Sequence, residues 1–158
     1  MTAETSKLET NDVETGNGAL VLTERIHATP DQIFDYLVDR DKLLRWMGTD
    51  ATIDPTPGGV FNVNINGRDV ASGAYVEVDR PSKVVFTWGW EGSADVPPGS
   101  STVEIALRAD GADTIVELTH AGLPGGQGDP HRDGWTHYLA RLVVAGVGGD
   151  PGHDSYRD

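Results

Sequence analysis

Cysteine is absent from this 158-residue chain. The absence excludes disulfides, thiol nucleophiles, iron–sulfur clusters and cysteine-ligated zinc. The sequence also has no apolar run long enough to span a membrane, and its first residues lack the basic and apolar regions of a signal peptide. We therefore expect a cytoplasmic protein.

Basic residues are scarce. The chain has 12 Lys and Arg against 25 Asp and Glu, which gives a net charge of −13, and its lysines are Lys7, Lys42 and Lys83. A charge of this sign repels both nucleic-acid phosphates and anionic lipid surfaces. The composition therefore predicts no nucleic-acid partner and no membrane partner.

Both ends of the sequence are polar and contain few large apolar side chains. Residues 1–18 are rich in Thr, Glu, Asn and Gly, and residues 147–158 are rich in Gly and Asp. We predict a disordered N-terminal segment over 1–18 and a flexible tail over 147–158. Residues 19–146 are then one domain, long enough to bury a core.

Alternating apolar and polar residues predict several strands in the central region. Asn66-Gly67 favours a tight hairpin turn, and most of the other connections between strands are also short, apart from a loop over Glu91–Ser100. Short connections indicate antiparallel pairing. The predicted strands cover Ala19–His27, Val60–Asn66, Val70–Val78, Lys83–Trp90, Thr102–Arg108 and Thr114–His120, with a further short strand near Thr52–Asp54.

Three helices are predicted. Thr29 caps the first, with Pro30 at its first position, and a second short helix covers Asp39–Trp46. The third starts with Asp129 as cap and carries an apolar stripe at spacings of three and four residues: Trp135, Tyr138, Leu139, Leu142 and Val143. The predicted order is β-α-α-β-β-β-β-β-α, in which the long last helix closes over the sheet and leaves a cavity.

Several local sequences resemble one known family when they are taken in this order. They are Ile26–Phe34, Leu44–Met47, Pro57–Phe61, Gly73–Pro81, Val84–Trp88, Glu117–Leu123, and Gly134-Trp135 with Leu139 and Leu142. Together they span about residues 19–146 and resemble the START-like (helix-grip, SRPBCC) superfamily, in the branch of the activator of the heat-shock-protein-90 ATPase. The resemblance implies an α+β fold whose curved antiparallel sheet wraps around a long C-terminal helix. It implies less about activity, because members include ligand carriers, cyclases and co-chaperone domains.

Seven side chains are candidates for ligand binding. Phe86, Trp88 and Trp90 are every second residue of one predicted strand, so their side chains share one face. His131 lies four residues before Trp135, on the same side of the last helix. Simple core packing is the alternative for the aromatic side chains, and a structural hydrogen bond is the alternative for each histidine. The full set is Phe86, Trp88, Trp90, His120, His131, Trp135 and Tyr138.

The sequence gives little evidence of a metal-binding site or of a catalytic nucleophile. The two histidines of the last helix, His131 and His137, lack the i, i+4 spacing of paired helical metal ligands, and with Asp133 they do not form a convincing ligand set because His137 is on the outer face. No serine lies in a Gly-x-Ser-x-Gly motif. The glycine-rich segment Gly122–Gly128 has no phosphate-loop lysine, so we interpret it as a flexible lid. We expect neither a metal nor a cofactor.

Three functions remain, of which the first is the best supported and the other two have equal support. The first is binding of an apolar or aromatic small molecule in the cavity, without catalysis and with His120 or His131 orienting a polar group. The second is a cyclase-like or lyase enzyme that uses His131 or His120 as general acid–base. The third is a stress-related domain that binds a chaperone, as the family resemblance implies. The protein is expected to be a monomer or a homodimer.

Overall fold

The computed structural model describes residues 13–14 and 19–158. The rest of the predicted disordered segment, residues 1–12 and 15–18, lies outside the described residues. The elements are β1 Val13–Glu14, β2 Leu20–Ile26, α1 Pro30–Val38, α2 Arg40–Leu43, β3 Asp50–Ile53, β4 Val60–Asn64, β5 Val70–Asp79, β6 Lys83–Trp88, β7 Ser101–Asp110, β8 Asp113–Ala121, α3 Gly128–Ala145 and a 3₁₀ turn, Ser155–Arg157.

The strands form one eight-stranded sheet in the order β1-β2-β8-β7-β6-β5-β4-β3. All neighbouring pairs are antiparallel, as the short connections predict. The sheet curves around α3, and the core lies between them, with Leu139 and Leu142 of α3 among its fully buried side chains. The predicted α+β helix-grip fold is confirmed.

Helix α1 starts where the sequence predicts. The Thr29 side chain accepts a hydrogen bond from the backbone N–H of Gln32 at 3.3 Å, and the Gln32 side chain accepts one from the Thr29 N–H at 3.0 Å. Pro30 occupies the first turn, where its missing N–H costs nothing. This reciprocal capping box satisfies two backbone groups that the helix end would otherwise leave unpaired.

Helix α3 starts one residue before the predicted cap. Gln127, not Asp129, is the N-cap residue, and its side chain makes no capping hydrogen bond. Asp129 lies in the first turn, where its negative charge is favourable beside the positive end of the helix dipole. The buried face includes Trp135, Tyr138, Leu139 and Leu142, as predicted, whereas Val143 is only partly buried.

Strand β6 ends two residues earlier than predicted, at Trp88. A Cβ atom at Gly89 would lie 1.8 Å from the Pro97 carbonyl oxygen, so the following loop approaches the backbone here as only glycine permits. Trp90 lies beyond this break and forms an isolated bridge with Ala71. The close approach of the loop therefore separates Trp90 from the strand that the sequence assigns to it.

The C-terminal segment lies against α3. Asp154 is 3% exposed, its Oδ2 accepts a hydrogen bond from the Tyr138 hydroxyl at 2.7 Å, and its Oδ1 lies 2.7 Å from His137 Nε2. The flexibility of residues 147–158 stays a prediction. Among the described residues, no helix has the length and apolar character needed to cross a bilayer.

The capping box gives a stability test. We expect Thr29→Ala to lower the free energy of unfolding by about 1 kcal/mol, because the Gln32 N–H loses its partner. Urea denaturation at neutral pH measures the change. Thr136→Ala, at an exposed position within α3, is the matched control and should cause no loss. Equal stability of the Thr29 variant and the wild type would contradict the role of the cap.

Candidate functional site

A cavity of about 260 Å³ lies between the first half of α3, the β4–β5 hairpin and the end of β6. We call it the aromatic cleft, because five of its lining residues are aromatic: Trp88, Trp90, Trp135, Tyr138 and Tyr156. The other lining residues are Met47, Ile65, Asn66, Asp69, Gln127, Pro130, His131 and Gly134. The cleft is smaller than most drug-sized binding sites and suits a ligand of one or two rings.

Five of the seven predicted ligand-binding residues line the cleft: Trp88, Trp90, His131, Trp135 and Tyr138. The other two lie outside its lining. Phe86 is buried in the core and stacks on Phe61, with 4.1 Å between the ring centroids. His120 is fully buried, with its ring centroid 6.2 Å from that of Trp135. The sequence places both side chains on the inner face but does not show how deep they lie.

His120 is held by a chain of hydrogen bonds. The indole N–H of Trp135 donates to His120 Nδ1 at 3.0 Å, so the imidazole proton is on Nε2. That nitrogen lies 2.9 Å from the Ser101 hydroxyl oxygen, and the Ser101 hydroxyl donates to the Trp88 carbonyl at 2.8 Å. The chain joins α3 to strands β6, β7 and β8.

His131 has a similar arrangement. The indole N–H of Trp90 donates to His131 Nε2 at 3.0 Å, and His131 Nδ1 lies 2.8 Å from the Gln127 carbonyl oxygen. A carbonyl can only accept, so the proton is on Nδ1 and the ring is neutral. Trp90 is thereby attached to the first turn of α3, although it lies outside a regular strand.

Burial keeps both imidazoles in the neutral form. It lowers the pKa of His120 to about 3, with a smaller contribution from the nearby His131. Burial also lowers the pKa of His131, and the hydrogen bond to Gln127 only partly opposes this. Each ring already uses both nitrogens, so neither has a free lone pair for a substrate proton. The histidines position indoles in this structure.

Trp88 differs from the two hydrogen-bonded indoles beside it. Its Nε1 is buried, and among the described residues it has no hydrogen-bond partner. Its ring lies against both neighbours, with centroids 5.3 Å from Trp90 and 5.0 Å from Trp135. The Trp88 ring lines the cleft, but its indole nitrogen is closed to solvent and does not face the open space.

Eight lining residues were not among the sequence-predicted site residues, and three of them shape the site most: Tyr156, Asp69 and Gly134. Tyr156 belongs to the predicted tail, and its ring stacks on His137 at 4.0 Å between centroids. Asp69 follows the predicted hairpin turn. Gly134 carried a usable signal, because a glycine within a helix costs stability and calls for an explanation.

Within residues 19–158, no group of three or more His, Asp or Glu side chains is arranged to hold a metal ion.

The curved sheet, the long helix and the cleft beside the start of that helix define a helix-grip protein with a small aromatic site. Comparison with known families gives the more specific assignment. The chain belongs to the family described as activator of Hsp90 ATPase homolog 1-like protein, whose model matches residues 27–145. This confirms the family that the local sequences resemble.

Three solved structures illustrate the similarity. An AHSA1-like protein from Rhizobium etli is 41% identical, with a TM-score of 0.67, over 90% of this chain and 92% of that chain. CalU16 from Micromonospora echinospora is 25% identical, with a TM-score of 0.68, over 90% and 83%. An HSP90 activator from Plasmodium falciparum is 25% identical, with a TM-score of 0.67, over 80% and 94%. No curated protein matches the sequence.

The neutral, buried His120 makes stability depend on pH. Its pKa is about 3 when folded and about 6.5 when unfolded. The unfolded chain therefore binds more protons between these values, and stability falls as the pH drops through this window. From pH 7 to pH 5 we expect His120 to contribute a loss of about 2 kcal/mol in the free energy of unfolding.

Urea denaturation at both pH values measures this loss, and His120→Gln should lose about 2 kcal/mol less between them than the wild type. Thr136→Ala, at an exposed position of α3, is the control, because neither side chain carries a titratable group and the variant should keep the pH dependence of the wild type. NMR of the imidazole adds an independent reading: a His120 ring that is protonated at pH 5 in the folded protein would refute the prediction.

Proposed function

We propose that the protein binds a small apolar or aromatic molecule in the aromatic cleft and catalyses no reaction on it. The observation that carries the proposal is the hydrogen-bonded pairing of two cleft indoles with two neutral histidines. The pairing fixes Trp90 and Trp135 before any ligand arrives, so binding does not have to order them. Burial of ligand surface against these rings contributes roughly 25 cal/mol per Å².

Gly134 supports the same proposal. It lies within α3 and lines the cleft, and a Cβ atom built on it would meet no other atom within 4 Å. No backbone approach therefore requires glycine here, although glycine costs a helix about 0.5–1 kcal/mol relative to alanine. Because Gly134 has no side chain, open space remains at the cleft. A ligand that uses this space would explain why the helix has a glycine here despite its cost in stability.

An enzymatic role for His120 or His131 is less well supported. General base catalysis needs an imidazole lone pair within reach of the substrate proton, and in both rings an indole N–H occupies it. Protonation of His120 for general acid catalysis is opposed by its low pKa. The cyclase or lyase hypothesis would need both hydrogen-bond chains to rearrange.

Variants at Gly134 test the binding proposal. We expect Gly134→Leu to weaken binding about tenfold or more, since its side chain would extend into the open space that the ligand occupies. Isothermal titration calorimetry with one- and two-ring ketones, ethers and hydrocarbons measures the affinities. The matched control, Gly134→Ala, should raise the free energy of unfolding by about 0.5–1 kcal/mol and retain most of the affinity.

Two outcomes would contradict the proposal. One is the absence of binding by the wild type both across the whole panel and for charged aromatic compounds of the same size. The other is equal affinity of the wild type and Gly134→Leu for a compound that does bind, since that compound would then occupy a different place.

Chaperone binding is a second candidate function. It is supported by the 25% identity to an HSP90 activator, which extends over 94% of that protein. A pull-down and an ATPase assay with the Hsp90-type chaperone of the source organism test it directly. Stimulation that survives Gly134→Leu would show that a surface outside the cleft is responsible, and absence of both binding and stimulation would exclude this function.

A further inference from the structure

The charges around the aromatic cleft are unevenly distributed. Asp69 is the lining residue that carries a formal charge, and no Lys or Arg belongs to the lining. One oxygen of the Asp69 carboxylate, Oδ2, accepts a hydrogen bond from the Asn66 side chain at 2.9 Å. Asp69 is exposed, so its carboxylate stands at the rim and remains hydrated.

A second carboxylate lies behind the wall. Asp154 is buried and accepts a hydrogen bond from the hydroxyl of Tyr138, which lines the cleft. Burial raises the pKa of Asp154, but the hydrogen bonds from Tyr138 and His137 outweigh this effect, so its pKa is below the usual value. Asp154 is therefore ionised at neutral pH and adds negative potential at this side of the cleft.

Two positively charged side chains near the cleft bind backbone carbonyls. Arg68 donates to the Tyr156 carbonyl at 3.1 Å, and Arg141 donates to the Gly152 carbonyl at 2.9 Å. Both guanidiniums thus bind backbone of the C-terminal segment and do not belong to the cleft lining. His131 does line the cleft, but its two hydrogen bonds hold it in the neutral form.

The aromatic rings offer surfaces in several directions. The Trp88 and Trp90 planes meet at 83°, and the Trp88 and Trp135 planes meet at 48°. An aromatic face carries partial negative charge and attracts a cation within about 6 Å, most strongly when the ring is an indole. When rings surround one space at different inclinations, several ring faces can contact a methylated or alkylated ammonium group at once.

We propose that the aromatic cleft selects ligands whose apolar or aromatic body carries a positively charged nitrogen, with the indole faces and the Asp69 carboxylate recognising the charge. This inference rests on the small-molecule binding proposed above and specifies the class of molecule bound. An anionic ligand of the same shape would meet carboxylates and find no basic side chain in the lining, so it is discriminated against.

Three probes of nearly equal shape separate charge from apolar burial: phenyltrimethylammonium, tert-butylbenzene and benzenesulfonate. Each is a phenyl ring with one tetrahedral substituent, which is cationic, neutral or anionic. With the full chain, we expect calorimetry to show the cation binding about tenfold tighter than the neutral probe. The sulfonate should bind more weakly than the neutral probe, and added salt should weaken binding of the cation alone.

Two variants identify the source of the preference. Asp69→Asn should lower the affinity for the cation about threefold, since an exposed charge contributes little, and should leave tert-butylbenzene unaffected. Asp79→Asn makes the same charge change at the far end of β5 and should alter neither affinity. An equal effect of both variants would show that the net charge of the protein, not the cleft, favours the cation.

The outcomes distinguish this inference from the proposed function. If the neutral probe or a compound of the ketone, ether and hydrocarbon panel binds while the cation binds no tighter than tert-butylbenzene, the inference is wrong and small-molecule binding stands. If neither the three probes nor that panel binds, the proposed function itself is refuted.

Discussion

The hydrogen bond from the Trp135 indole to the His120 imidazole is the interaction on which the architecture of the site depends. It joins the long helix to the middle of the sheet through two side chains that are almost fully buried. Because Ser101 continues the chain to the Trp88 carbonyl, the same linkage fixes the end of β6. The register of the helix over the sheet and the position of the cleft wall are therefore set together.

The second indole–imidazole pair extends this arrangement to an irregular part of the chain. Trp90 follows a glycine at which the strand is interrupted, so the ladder of β6 does not hold its side chain. The bond to His131 replaces that support and attaches the loop to the first turn of α3. The site thus combines strand, loop and helix residues, and its rigidity comes from side chains.

Much of the fold could be predicted from the sequence. The alternation of Val60–Asn64 and the Thr29–Gln32 capping box are local signals, and local physics dictates both elements. The family resemblance supplied the order in which the strands surround α3. The early end of β6 could not be predicted, because it results from contact with Pro97, a neighbour that only the tertiary structure brings close to Gly89.

The residue types of the site could be predicted from the sequence, but the depth at which each side chain is buried could not. Alternation places Phe86 and Trp88 on the inner face, yet it cannot show that Phe86 packs on Phe61 whereas Trp88 reaches the cleft. Tyr156 was missed for a different reason. A polar, glycine-rich segment predicts a loose tail. The buried Asp154 holds this segment on α3, but the residues next to Asp154 in the sequence do not indicate that its partners are His137 and Tyr138.

The distribution of tryptophans has a spectroscopic consequence. Three of the four line the cleft with rings about 5 Å from a neighbouring indole, whereas Trp46 lies apart and donates to the Tyr36 carbonyl. Indoles this close share excitation, so their near-ultraviolet circular dichroism and emission report on one small region. The tryptophans therefore serve as an intrinsic optical probe. A ligand that enters between the rings changes their signal, and no added dye is needed.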